Sequence, residues 1–205
     1  MVTQCFLVRH GEIGANVERL WHGSTDSELT SRGQQQVAHL GRHFSNKSYR
    51  ITGIYSSPLK RTMSTAQAIA DQHSMAVSPV PGLIEFGVGE WEGLSYEVIA
   101  SEHGFFDKIA LNQDFSPNGG ESVNQVAARM HETFFSLVDQ HRGEKIVLVG
   151  HGAAFAILMA GLLEGAHYPF FDHHMSNTGI SLLEVAADNA VRRAWFDETG
   201  HLPVE

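Results

Sequence analysis

The chain has 205 residues, and 14 lysines and arginines against 23 aspartates and glutamates give it a formal charge of −9 with histidine neutral. We expect no binding to nucleic acid or to an anionic membrane, because both need a basic protein surface. The single Cys5 excludes an internal disulfide framework and is typical of a reducing cytoplasm, the location we expect. No segment approaches the roughly 18 apolar residues of a membrane span, and the length favours one domain over residues 1–205.

Strands alternate with helices along most of the chain. The predicted strands are short runs of apolar and β-branched residues, at 4–8, 51–55, 76–80 and 146–149. The predicted helices carry apolar residues at helical spacing and cover residues 31–46, 58–71, 96–103, 122–141 and 152–163. Thr30 and Ser95 predict helix N-caps, and the run Ser56-Ser57-Pro58 predicts the start of the second helix.

The chain ends in two further strands that predict a hairpin, at residues 179–185 and 190–196. Pro79 and Pro81 favour a sheet edge for the strand near residue 78. The remaining long segments predict loops, at residues 11–29, 82–93 and 104–120. Together these elements predict an α/β fold of three layers, in which a mainly parallel sheet lies between helices on both faces.

Three predicted strand ends carry similar chemistry. The first strand ends in Arg9-His10-Gly11, the second leads to Ser56-Ser57-Pro58 and Arg61, and the central one ends in His151-Gly152. The carboxyl ends of parallel strands share one sheet edge, so Arg9, His10, Arg61 and His151 can converge there. Helix N-termini at that edge add a positive field. The sequence therefore predicts a pocket for a phosphate dianion, with His10 as a candidate nucleophile.

Phosphoryl transfer to or from an alcohol also needs a proton donor for the leaving oxygen. Glu85 is the preferred candidate because its loop follows the third predicted strand at the expected edge. Glu12, next to His10, is its rival, and Glu90 and Glu92 lie in the same loop as Glu85. Asn16, in the loop after the first strand, can donate an amide N–H to a phosphate oxygen.

An ordered set of short motifs spans nearly the whole chain. It comprises Leu7-Val8-Arg9-His10-Gly11-Glu12, Asn16, Gly23, Asp26, Leu29-Thr30, Gly33, Ser56-Ser57-Pro58-Leu59, Arg61, Thr65-Ala66, Leu83-Ile84-Glu85, Gly89-Glu90-Trp91-Glu92-Gly93, Asn118-Gly119-Gly120-Glu121-Ser122, Val149-Gly150-His151-Gly152 and Asn177-Thr178. This set resembles the histidine phosphatase superfamily, the phosphoglycerate-mutase-like proteins. A lone Arg-His-Gly is weak evidence, whereas the set in this order is specific.

The resemblance implies a phosphoglycerate-mutase-like fold and a role for each site residue. His10 would attack phosphorus and become phosphohistidine, and Glu85 would act as general acid and then as general base. The phosphoryl oxygens would be held by Arg9, Asn16, Arg61 and His151, with His151 cationic when phosphate is bound. No metal and no organic cofactor is implied. The substrate would be a small phosphorylated metabolite, with His22, Gly23 and Gly152 as further substrate contacts.

Three positions depart from the pattern of the family. Ile13 stands where threonine or serine is usual, so a hydroxyl near the phosphate is missing. His22 replaces a common glutamine, and Glu28 replaces a common proline. The first two departures put the pocket in question, and Glu28 concerns only the local turn.

The short middle of the chain and the stretch Glu85-Phe86-Gly87-Val88-Gly89 bear on the reaction. Mutases of the family usually have a longer insertion and an arginine after the general acid, so this chain resembles alpha-ribazole phosphatases and broad-specificity phosphomonoesterases more closely. Phosphoglycerate mutase activity, a non-catalytic phospho-ligand module and a metal hydrolase remain alternatives. The sequence leaves open whether the protein is a homodimer.

Several histidines and aromatic residues outside the motifs have two interpretations. His39 and His43 have the i, i+4 spacing of a helical zinc site, but a solvated helix face is the preferred interpretation. His173 and His174 are expected to be ordinary loop residues. The aromatic segment within 104–120 is either a substrate lid or an anchor to the core.

Overall fold

The computed structural model describes residues 1–47 and 49–203, and its strands form one six-stranded sheet in the order β3-β2-β4-β1-β5-β6. The strands are β1 (Thr3–Arg9), β2 (Gly53–Ser56), β3 (Ser78–Pro79), β4 (Lys145–Gly150), β5 (Ile180–Val185) and β6 (Val191–Glu198). The helices are α1 (Gly14–Glu18), α2 (Ser31–Asn46), α3 (Lys60–His73), α4 (Tyr96–Ser101), α5 (Phe105–Leu111), α6 (Val123–Gln140) and α7 (Gly152–Glu164).

The register of the parallel strands brings the predicted strand ends together. In the central pair, Arg9 of β1 lies opposite Gly150 of β4, and on the other side of β4 Ser56 of β2 lies opposite Val149. The residues that follow each strand therefore emerge side by side at one edge of the sheet. The mainly parallel arrangement is confirmed, and the predicted hairpin of β5 and β6 adds the antiparallel part at one end.

Helices cover both faces of the sheet, as predicted. Alternate residues of a strand point to opposite faces, so Leu7 of β1 packs with α6 and α7 while Phe6 packs with α2 and α3. β4 is apolar on both faces because both are buried: Ile146 and Leu148 contribute to the first core, and its two valines contribute to the second. This two-sided core fixes the strand ends that carry the site.

Side-chain caps begin three helices, two of them at the predicted N-caps. The hydroxyl of Thr30 accepts from the Gly33 N–H at the start of α2, and Ser95 caps α4 in the same way. Ser122 and Gln125 form a reciprocal capping box at the start of α6. Within the described residues no helix is both long enough and apolar enough to cross a bilayer.

The predicted elements differ most clearly from the structure in three places. α3 begins at Lys60 rather than at Pro58, because the hydroxyls of Ser56 and Ser57 bond elsewhere and do not cap it. The predicted loops 11–29 and 104–120 contain α1 and α5. Phe105 and Ile109 of α5 are completely buried, so tertiary packing stabilises a helix too short to form alone.

Candidate active site

His10 and His151 lie next to each other where β1 and β4 end. Their ring centroids are 5.3 Å apart, and the exposed fractions of the two residues are 4% and 0%. The backbone N–H of His10 donates to the carbonyl of Gly150 at 3.1 Å, which continues the parallel ladder past both strand ends. The sheet itself thus fixes the separation of the two imidazoles.

The hydrogen bonding of His10 determines its tautomer. Nδ1 lies 2.8 Å from the carbonyl oxygen of Gly11, and a carbonyl can only accept, so Nδ1 carries the proton. Nε2 therefore keeps its lone pair. Burial first, and then the positive charges of Arg9 and Arg61, lower the pKa of His10 well below its ordinary value. At neutral pH His10 is an uncharged base beside two guanidinium groups.

Arg61 is completely buried and connects His151 to the loop that follows α1. Its Nε–H donates to His151 Nδ1 at 3.2 Å, Nη1 donates to the Thr25 carbonyl at 2.7 Å, and Nη2 donates to the carbonyls of His22 and Gly23 at 3.1 and 2.9 Å. Because a guanidinium has no acceptor, His151 Nδ1 must accept. The other ring nitrogen, Nε2, lies 2.8 Å from the Ser57 hydroxyl.

His151 is neutral in this geometry. Burial first, and then the charges of Arg61, His10 and Arg9, lower its pKa well below the ordinary value. An arriving phosphate dianion would offset those positive charges, so the cationic form expected with bound phosphate stays a prediction.

Arg9 has an exposed fraction of 8%, and one nitrogen of its guanidinium differs from the others in its hydrogen bonding. Nη1 donates to the Met175 carbonyl at 2.5 Å, whereas the buried Nε–H has no hydrogen-bond partner among the described residues. An unpaired buried donor costs on the order of 1–3 kcal/mol. Burial also lowers the pKa of Arg9, although the nearby Tyr96 and Glu85 oppose that shift. An anion that accepts from Nε would remove the cost.

Glu85 is held against the start of α7. One carboxylate oxygen accepts from the backbone N–H groups of Ala154 at 2.7 Å and Phe86 at 2.8 Å, and the other accepts from Ala153 at 3.1 Å. These bonds place the carboxylate beside His151-Gly152, the turn that leads into α7. The structure therefore places Glu85 at the predicted sheet edge.

The other acids considered as proton donors have different surroundings. Glu12 accepts from the Thr30 hydroxyl at 2.7 Å, at the start of α2, and Glu90 is exposed and accepts from the amide of Asn118. Glu92 accepts from the backbone N–H groups of Gly23 and Ser24 and from the hydroxyl of Thr25 at 2.8 Å. Glu92 therefore anchors the loop whose carbonyls bind Arg61.

The side-chain amide of Asn16 is oriented by the hydrogen bonds that its oxygen accepts. Oδ1 accepts from the Ile13 N–H and from the Asn177 side chain, both at 3.1 Å, and Asn177 also donates to the carbonyl of His10 at 3.0 Å. Asn16 is thus connected to the backbone of His10. A bond from its amide nitrogen to phosphate stays a prediction.

A cavity of about 190 Å³ opens at this edge of the sheet. Its walls are formed by Arg9, Trp21, His22, Glu85, Tyr96, Phe106, Gly152, Ala153, Phe170, Phe171 and His174. Of the predicted substrate contacts, His22 and Gly152 line it. Gly23 does not; its backbone donates to Glu92 and accepts from Arg61. A Cβ at Gly152 would lie 3.0 Å from His174 Nε2 and 3.4 Å from Arg9 Nε, so glycine keeps this approach open.

Two departures from the family pattern have simple structural consequences. Ile13 is buried, with an exposed fraction of 2%, and precedes α1 without a side-chain cap. The missing hydroxyl is therefore a missing N-cap as well. Glu28 forms an ion pair with Lys60 at 3.0 Å on the surface.

Sequence reasoning missed several residues that support the site. Arg129 of α6 donates to the carbonyls of Ile84 and Glu85, on both sides of the Glu85 Cα, and pairs with Glu121 at 2.7 Å. The sequence feature that could have identified Arg129 is its position at the border of the apolar stripe of α6, beside Val126 and Met130. His174, expected to be an ordinary loop residue, lines the cavity.

The histidine pair on α2 is not purely solvated, contrary to expectation. The ring of His43 packs against His201 with centroids 5.5 Å apart, and His39 is half-buried. Among residues 1–47 and 49–203, no group of three histidine, cysteine, aspartate or glutamate side chains is arranged to hold a metal ion.

Comparison with known proteins identifies the family. The family model of the histidine phosphatase superfamily, branch 1, matches residues 5–198. The chain belongs to this superfamily. A probable phosphoglycerate mutase, GpmB, from Salmonella choleraesuis is 31% identical over 200 residues, which cover 97% of this chain and 92% of that protein.

Solved structures show the same fold. A mutant of phosphoserine phosphatase from Entamoeba histolytica, in complex with phosphoserine, superposes with a TM-score of 0.86 at 30% identity. The alignment covers 98% of this chain and 100% of that chain. A putative alpha-ribazole-5'-P phosphatase from Escherichia coli gives a TM-score of 0.84 at 21% identity and covers 99% of both chains, which supports the fold alone.

Proposed function

We propose that this member of the superfamily is a metal-independent phosphomonoester hydrolase that acts on a small phosphorylated metabolite through phosphohistidine. The observation that carries the proposal is the hydrogen bonding of His10: Nδ1 is bonded to the Gly11 carbonyl, so Nε2 keeps its lone pair. The charges of Arg9 and Arg61, together with burial, keep the imidazole neutral by lowering its pKa. A nucleophile of this kind needs no base to activate it.

In the first step, Nε2 of His10 attacks phosphorus, a P–N bond forms and the ester P–O bond breaks. Protonated Glu85 gives its proton to the leaving alcohol oxygen. In the second step, Glu85 takes a proton from water, whose oxygen attacks phosphorus and breaks the P–N bond. Inorganic phosphate leaves, and both residues return to their starting states.

Four groups hold the phosphoryl oxygens in this mechanism. Arg9 offers the unpartnered Nε–H, Asn16 follows the same strand β1, and Arg61 and His151 follow β2 and β4. Such donors stabilise the negative charge on the equatorial oxygens in the transition state. We place the enzyme in the cytoplasm, without nucleic acid or membrane as a partner, and a homodimer is compatible with this function.

Phosphoglycerate mutase activity is the second candidate, because curated relatives such as GpmB carry that name. Both reactions share the phosphohistidine step and differ in whether water or a second alcohol accepts the phosphoryl group. A coupled assay with 3-phosphoglycerate separates them: a mutase forms the isomeric phosphoglycerate, and a hydrolase does not.

The test of the hydrolase is the His10→Ala variant on p-nitrophenyl phosphate, with chelator present throughout. We expect a loss of kcat of about 10³-fold or more, together with loss of an acid-labile, base-stable phosphoryl label that the parent shows on rapid quenching. His131→Ala, a change at an exposed histidine of α6, is the control and should keep the parental kcat and the phosphoryl label. Parental turnover by His10→Ala would contradict the proposal.

A further inference from the structure

The walls of the active-site cavity divide by chemistry. At one end are Arg9 and Glu85, together with the first residues of α7. The rest is dominated by five aromatic side chains, which we call the aromatic wall: Trp21, Tyr96, Phe106, Phe170 and Phe171. The polar end matches the phosphate and the ester oxygen. The aromatic wall is what the alcohol part of a substrate would meet.

The aromatic wall is held by contacts among its own members. Phe171 packs on Phe106 with ring centroids 5.5 Å apart and on Phe170 at 4.8 Å, which joins α5 to the loop after α7. Trp21 and Tyr96 form a second pair at 5.3 Å, and the indole N–H of Trp21 donates to the Phe86 carbonyl at 3.0 Å. The wall therefore comes from distant segments that converge on one apolar surface.

The cavity offers little to a second anionic group. Among the described residues that line it, Arg9 is the one lysine or arginine, and the proposed reaction assigns it to the phosphate. His174 lies at the rim, where partial burial of the ring and the charge of Arg9 lower its pKa, so it is neutral at pH 7. A carboxylate beside the ester would face Glu85 and the aromatic wall, with the Tyr96 hydroxyl and the His22 ring as the other polar groups. None of these is a lysine or arginine, and a charge buried without a charged partner is costly.

The size of the cavity limits the substrate further. Its volume of about 190 Å³ is below the roughly 300–1,000 Å³ of pockets that enclose drug-sized ligands. A phosphate with one ring or a compact apolar group is the appropriate scale.

From these observations we infer that the preferred substrates are phosphomonoesters of uncharged alcohols that carry one aromatic or compact apolar group, and that phosphates with a neighbouring carboxylate are poor substrates. The inference rests on the proposed hydrolase function and deepens it. It separates this enzyme from the Entamoeba histolytica relative, whose structures hold phosphoserine and 3-phosphoglyceric acid.

The test compares kcat/KM for benzyl phosphate, 4-carboxybenzyl phosphate and 3-phosphoglycerate at pH 7, with methyl phosphate as a reference without a side group. Benzyl phosphate should exceed each of the other three by about tenfold or more, since burial of a ring is favourable and burial of a lone carboxylate is not.

The Phe171→Ala variant tests whether the aromatic wall is the cause. Phe171 is 44% exposed, so its truncation should leave the fold intact. We expect a several-fold rise in KM for benzyl phosphate and a several-fold fall in the ratio of kcat/KM on benzyl phosphate to kcat/KM on methyl phosphate. Leu111→Ala, at a side chain 90% exposed and outside the cavity, is the control and should change neither value.

The failures are distinguishable. Equal or better turnover of 4-carboxybenzyl phosphate or 3-phosphoglycerate would overturn the inference about substrate class and leave the hydrolase proposal standing. A tenfold preference that survives Phe171→Ala unchanged would overturn the assigned role of the aromatic wall. An enzyme that hydrolyses p-nitrophenyl phosphate but none of the four esters would overturn the inference alone. An enzyme that hydrolyses none of the five would overturn the hydrolase proposal as well.

Discussion

Arg61 donates its Nε–H to Nδ1 of His151 at 3.2 Å, and this bond joins the segment after β2 to the end of β4. The remaining bonds of the guanidinium reach the loop at residues 22–25, whose position depends on Glu92. A single carboxylate thus sets the loop that orients Arg61, and through Arg61 the imidazole of His151. Glu92 is a positioning residue in this arrangement.

Glu92→Gln should therefore weaken both stability and activity. The substitution places an amide N–H2 against backbone N–H donors and loses charge-assisted bonds, at a cost of about 1.5–3 kcal/mol in the free energy of unfolding. We expect kcat/KM to fall about tenfold or more, since Arg61 loses its fixed loop. Glu90→Gln, two residues away and exposed, is the matched control and should stay within about 0.5 kcal/mol of the parent. Urea unfolding and steady-state kinetics measure both effects, and equal behaviour of the two variants would contradict the role of Glu92.

Stability should decrease as the pH falls below about 6.5, the ordinary pKa of histidine. The buried His10 and His151 have lowered pKa values in the folded protein, so below pH 6.5 the unfolded chain binds protons that the folded protein does not. Protonation then favours unfolding, and each such histidine contributes a slope of up to about 1.4 kcal/mol per pH unit until its folded pKa is reached. Above pH 6.5 this contribution is fully present.

The measurement is the free energy of unfolding in urea at pH 7.5 and pH 5.5. In His10→Gln the fall between the two values should be smaller than in the parent, because one proton-binding difference is gone. His131→Gln, at an exposed position, should retain the parental fall. Identical falls in all three proteins would show that His10 does not contribute to the pH dependence.

The sequence alone predicted the residues that the sheet positions. Arg9, His10 and His151 lie immediately after short apolar runs, and the parallel register brings such ends together whatever the loops do. The choice of Glu85 over Glu12 as the proton donor depends on how the loop that carries Glu85 packs against the N-terminus of α7. No local sequence pattern encodes that contact. The fold shows the same contrast between local and tertiary determinants. The strands and long helices follow from local patterns and were predicted, whereas the boundaries that depend on tertiary hydrogen bonds were not.

Two errors illustrate this dependence on tertiary contacts. The Ser57 hydroxyl was expected to belong to a helix start, but it bonds His151, so α3 begins two residues after Pro58. His43 was expected to face solvent, but the segment after β6 returns and places His201 against it. Each residue has the local pattern assumed for it, and a partner distant in sequence decides its role.

Arg129 should act through Glu85, and the leaving group of the substrate can reveal this. Its guanidinium holds the carbonyls of Ile84 and Glu85 at 2.7 and 3.0 Å. Arg129→Met should therefore displace the Glu85 carboxyl group, which donates a proton to the leaving oxygen in the proposed mechanism. An alkyl alcohol needs that proton, whereas p-nitrophenolate leaves without it. We therefore expect kcat to fall about tenfold or more further on benzyl phosphate than on p-nitrophenyl phosphate, with partial rescue by Arg129→Lys.

Arg142→Met, which removes an exposed arginine bonded to Asp139, is the control and should leave the ratio of the two kcat values unchanged. A purely structural role for Arg129 predicts equal losses on both esters, and that result would contradict the positioning of Glu85.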